Sequence, residues 1–158
     1  MSESKDMVAG FRSQLRGFEV VVRSANMPAL SYQDARLLCD QARNLVDIGI
    51  EVGDAICDEL GEETPTVKQF TSKSFGPDRF SGMSVSDALT FAINELSFVE
   101  DRLELNTLDT ALASMCNIIK TVYEACSDLA LGLRQDFPAL EEFKVGKEVA
   151  EEAVERSL

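Results

Sequence analysis

"SYQDARLLCDQARNLVDIGIEVGDAICDELG", Ser31 to Gly61, places apolar and small residues at steps of three and four: Ala35, Leu38, Ala42, Leu45, Gly49, Val52 and Ile56. That period is one face of an α-helix, not the two-residue alternation of a strand. Ser31-x-x-Asp34 stands just ahead of the first seam residue as a capping box, its serine oxygen positioned to accept from an early backbone N–H. Gly61 closes the run, because glycine takes the left-handed conformation of a helix C-terminus without steric cost. The stretch therefore specifies a helix over about residues 31–61. Within its seam the small residues Ala35, Ala42 and Gly49 alternate with the larger Leu38, Leu45 and Val52. A neighbouring helix is expected to approach closely there, with the leucines of the third helix opposite. The alternative is a small apolar pocket beside Gly49 and Gly53.

The same rhythm extends outward in both directions. Val8, Phe11, Leu15, Phe18 and Val22 predict a helix over about 5–24, broken by Asn26-Met27-Pro28. A second capping box, Ser84-x-x-Asp87, opens a helix over about 84–105 with the seam Val85, Leu89, Ala92, Leu96, Val99 and Leu103. Asn106-Thr107 interrupts it, and the seam restarts out of phase at Leu108, which predicts a tight corner. Leu108, Leu112, Met115, Ile119, Val122, Cys126, Leu129 and Leu133 then mark a helix over about 107–136. Leu140, Phe143, Ala150 and Val154 predict a weaker fifth helix after Pro138, over about 138–155. Four seams of one rhythm joined by short corners predict an all-α fold in a single domain spanning 1–158. The expected form is an antiparallel four-helix bundle with an appended C-terminal helix. Helices 2 and 3 are joined by a long connection, residues 62–83, beyond the usual loop length.

Composition narrows the function. The chain has 158 residues, a net charge of −13 and no histidine. Such acidity opposes phosphate backbones and anionic membrane surfaces, so neither direct nucleic-acid binding nor membrane docking is expected. No apolar run reaches membrane-spanning length, and "MSESKDMVAG" lacks the basic and apolar regions of a signal peptide. Cys39, Cys57, Cys116 and Cys126 form no C-x-x-C pair, so reduced thiols in a cytoplasmic protein are expected. Without histidine, catalytic triads, Cys-His dyads and the common zinc sets are impossible within the chain. Glycine-rich phosphate loops are also missing from the sequence. These features predict no enzyme, cofactor or metal site.

Three groups of residues stand out. The first is an acidic face on helix 2: Asp47, Glu51, Asp54 and Asp58, preceded by Asp40. Arg36 and Arg43 interleave with its beginning, at helical spacing for ion pairs, and no cation follows Asp47. Solvation, a protein partner or Mg²⁺ are the options for such a face. Glu51-x-x-Asp54 resembles half of the acidic motif in all-α, metal-dependent nucleotide pyrophosphohydrolases of the MazG type. No Glu-x-x-Glu at suitable distance upstream completes that motif, and this seam points away from the apolar one.

The second group is Phe91, Phe98 and Leu105, seven residues apart on helix 3 and off its main seam. A helix with two apolar faces is covered on both or forms half of an interface. Helix 1 or helix 5 is one expected cover, and a second copy of the chain is the other. The third group lies in the long connection, where Lys68, Phe70, Lys73, Phe75, Arg79 and Phe80 alternate cations with phenylalanines. The loop either clasps the acidic bundle, anchors a protein partner or, with Thr71, Ser72 and Ser74, grips an anion such as a nucleotide. The leading expectation is a non-enzymatic protein-interaction module, a small regulator, inhibitor or adaptor that forms homo-oligomers. The alternatives are a small-anion binder, an acidic nucleic-acid mimic and, last, a metal-dependent nucleotide hydrolase.

Overall fold

The computed structural model describes residues 3–61 and 84–146. Their regular structure is all helical: α1 (Glu3–Ser24), a 3-10 turn (Met27–Ala29), α2 (Tyr32–Leu60), α3 (Val85–Glu104) and α4 (Leu108–Asp136), with no strand among the described residues. No helix among them is long and apolar enough to cross a membrane.

The helix ends follow local chemistry. Ser31 Oγ accepts from the Asp34 amide at 3.1 Å, and Ser84 Oγ from the Asp87 amide at 3.0 Å. Each serine satisfies an N–H that has no partner inside its helix. Gly61 ends α2 at φ 71° and its amide donates to Asp58 O. The α3–α4 corner is a Schellman closure, in which two amides beyond the helix satisfy carbonyls of its last turn. Thr107 N donates to Arg102 O at 2.8 Å and Asn106 N to Leu103 O at 3.1 Å. Asn106 takes the left-handed conformation, φ 60°, which asparagine tolerates better than most residues. The closure reverses the chain and accounts for the phase slip in the apolar seam.

One connected core holds the seams of all four helices, including the fully buried Phe11, Leu15, Ile50, Leu89, Leu96 and Met115. Side-chain contacts set the register. Lys5 pairs with Glu104 at 3.5 Å, and Arg12 with Glu100 at 3.1 Å while donating to Ser97 at 3.2 Å. Ser86 Oγ–H donates to the buried carboxylate of Glu19. Contacts thus rise along α1 while they fall along α3. Between α1 and α2, Ser4 Oγ–H donates to Glu59 at 2.7 Å, and Phe11 meets Gly49. Between α2 and α4, Gly49 meets Ile119, and Tyr32 meets Phe137, the residue that caps α4, edge to face at 6.1 Å.

Two expectations are corrected here. The small seam of α2 does admit a close approach, but not from the third helix. A methyl group at Gly49 would lie 3.0 Å from Phe11 Cζ and 3.4 Å from Ile119 Cγ1, so α1 and α4 fill the space beside Gly49. The fifth helix does not follow Pro138 either: residues 137–145 carry no helix. They turn at Phe137–Leu140 and bury Leu140 and Val145 in the core. A proline after an aromatic residue favours that turn, and burial of two side chains five apart suits an irregular segment better than a helix. Gly146 is helical, and the rest of the expected fifth helix, residues 147–155, lies outside the described residues.

Candidate functional site

The outer row of α3 is built by default. Ala88, Leu89, Ala92, Ile93, Leu96, Val99 and Leu103 fill its inward face. At about 100° per residue, positions 91, 98 and 105 then fall on nearly the opposite side. Phe91, Phe98 and Leu105 are 44%, 53% and 67% exposed, far above the core residues beside them. Helix α1 does not cover them, because it grips α3 along another flank through Ser86, Ser97, Glu100 and Glu104. Polar side chains border the row. Asn94 and Asp101 are exposed, while Glu95 and Arg102 are half-buried. The result is an apolar strip with a polar edge on the side of α3 away from the core.

The acidic face of α2 divides into two environments. Glu51, Asp54 and Asp58 line a groove of about 370 Å³ together with Glu3, Ser4, Met7, Ala55 and Glu59. Carboxylates of α1 and α2 thus face one space, which suits a cationic partner. Asp47 is separate from this groove. Its Oδ1 and Oδ2 accept from the Gly146 amide at 2.9 and 3.3 Å, so this carboxylate ties down the chain after α4. No group of histidine, cysteine or carboxylate side chains among the described residues is arranged to hold a metal ion.

Arg43 is the centre of a polar patch. It donates to Asp40 at 3.0 Å and to Glu142 O at 3.3 Å, and its guanidinium lies 5.9 Å from the Phe143 ring centre. Phe143 in turn meets Tyr123 edge to face at 6.1 Å. A cavity of about 170 Å³ beside Arg43 is lined by Tyr32, Arg36, Cys39 and residues 139–141. This patch fastens the chain after α4 onto α2. The Arg43–Asp40 pair was legible as an i, i+3 spacing. The Glu142 and Gly146 partners were not, since nothing local in the sequence joins positions 99 residues apart.

All four cysteines are free, with Cys39, Cys57 and Cys126 buried. Burial pushes the Cys126 thiol up to about 12 and Cys116 up to about 11, because a thiolate loses hydration in an apolar site. Burial also raises Cys39, partly opposed by the nearby Arg43 guanidinium. Protonated thiols are poor nucleophiles, so Cys39, Cys116 and Cys126 act as packing groups. The loop residues Lys68, Phe70, Lys73, Phe75, Arg79 and Phe80 lie outside the described residues.

Among the described residues, these features define an all-helical fold with an exposed apolar row on α3 and an acidic groove between α1 and α2. No family model matches the chain, and no match is found among curated proteins or solved structures.

Proposed function

We propose that this chain is a protein-interaction module that works by binding, as a small regulator, inhibitor or adaptor, and that forms homo-oligomers through α3. Its frame is an antiparallel four-helix bundle in the cyclic order α1, α2, α4, α3. The opposed registers of α1 with α2 and α3, and of α2 with α4, support that frame. Four free cysteines suit a reducing compartment such as the cytoplasm.

The observation that carries this function is the outer row of α3: three large apolar side chains, one every second turn, exposed to solvent. Removing them from water is the favourable term available to a partner. Phe91→Glu combined with Phe98→Glu is expected to halve the mass measured by light scattering, with unchanged helical circular dichroism. A monomeric mass before and after the substitutions would contradict the proposal.

The groove of Glu3, Glu51, Asp54, Asp58 and Glu59 supports a second contact, with a basic segment of another protein. A nucleic-acid mimic would use the same carboxylates against a nucleic-acid-binding protein. Either contact weakens steeply with salt, because its charges lie on an accessible surface.

A further inference from the structure

We propose that two copies dock α3 against α3 in antiparallel register about Phe98, so that Glu95 of each copy faces Arg102 of the other. The inference rests on the interaction-module reading and adds its partner and its register. The partner is a second copy of this chain.

Charge complementarity selects this occupant. The chain carries −13, so two copies repel unless their contact surface is locally balanced. Two carboxylates of α3 are already neutralised on the flank that meets α1, Glu100 by Arg12 and Glu104 by Lys5. On the flank beside the apolar row, Glu95 and Arg102 stand half-buried, and neither makes an ion pair with another described residue. Seven residues separate them, about 10 Å along a helix, too far to pair within one copy.

A two-fold axis beside Phe98 resolves this arrangement. It sets Phe98 against Phe98 of the second copy and Phe91 against Leu105, since 91 and 105 lie equally far on either side. Such an axis preserves the flank while reversing the direction, so like flanks meet. Glu95 is three residues before the axis and Arg102 four residues after it. Two symmetric Glu95–Arg102 contacts therefore form. On the opposite flank Asn94 meets Asp101 of the second copy, and the amide donates to the carboxylate. A parallel pairing sets unlike flanks together, Arg102 beside Asp101 and Glu95 beside Asn94, so charge reversal at Glu95 tells the two registers apart. The antiparallel register thus covers every apolar residue of the row and also pairs the charges beside it.

Charge reversal across copies tests the register. Wild type, E95R, R102E and an equimolar mixture of the two variants are compared by sedimentation velocity. Each variant alone places like charges at two symmetric contacts, and its dimerisation is expected to weaken roughly tenfold. The mixture is expected to recover the dimer, because the arginine introduced at 95 in one copy meets the glutamate introduced at 102 in the other. Recovery also shows that both variants are folded. A wild-type dimer whose mixed variants stay monomeric would overturn the register while leaving self-association through α3 intact. A wild type that is monomeric at every concentration would overturn that underlying reading as well.

Discussion

Gly49 is tightly enclosed in the core, with Phe11 on one side and Ile119 on the other. Alanine there gains helix propensity but presses on side chains that are themselves fully buried, and overpacking of that kind costs about 1–3 kcal/mol. Gly49→Ala is therefore expected to lower the midpoint of urea unfolding. Gly132 is also in a helix, yet a methyl group there meets nothing within 4 Å. Gly132→Ala is expected to raise the midpoint, by about 0.5–1 kcal/mol of helix propensity. Equal shifts of the same sign at both positions would contradict the packing described for Gly49.

Cys116 and Cys126 carry a pH signature. Their thiols ionise more readily in the unfolded chain, near 9, than in the fold, where Cys116 is pushed up to about 11 and Cys126 to about 12. A folded pKa above the unfolded one gives stability that is complete below pH 9 and lost as pH rises towards those values. Cys126→Ala is expected to flatten the alkaline loss of stability relative to wild type, read from urea midpoints between pH 8 and 10.5. Loss of equal steepness in both proteins would contradict the burial of that thiol. The capping residues Ser31, Gly61 and Ser84 were legible because capping is local, a side chain answering an amide three residues away. Asp47 looked like one more carboxylate on an acidic face. Its partner is a backbone amide, which carries no side-chain signal.

At the scale of elements, the four helices and the all-helical class were legible because each seam repeats over many turns. The segment after α4 was not. Leu140 and Phe143 are three apart, and so short a run fits a helix as well as an irregular chain laid across one. Tertiary contacts decide the matter: Leu140 and Val145 enter the core, Arg43 stacks on Phe143, and Asp47 receives Gly146. Both tyrosines of the chain report on this segment, since Tyr32 meets Phe137 and Tyr123 meets Phe143. The chain has no tryptophan to obscure them. Asp47→Ala is expected to change the tyrosine near-ultraviolet circular dichroism and to cost about 1 kcal/mol of stability. A spectrum identical to wild type would mean that Asp47 does not hold the segment.

At the scale of the whole molecule, charge and apolar surface oppose one another. Two chains of −13 repel, whereas the outer row of α3 gains by leaving water. Salt screens the repulsion, since the Debye length falls from roughly 30 Å at 0.01 M to about 8 Å at 0.15 M. Dimerisation is therefore expected to tighten over that range, the reverse of a contact driven by ion pairs alone. The off-seam row was legible as a second apolar period on one helix. Its exposure depended on which flank α1 occupies, and that is a property of the assembled helices. Sedimentation velocity on the wild-type chain across a dilution series, at physiological salt, tests the central claim most directly. A reversible shift from dimer to monomer on dilution, abolished by Phe98→Glu, is the expected result, and a monomer at every concentration would contradict it.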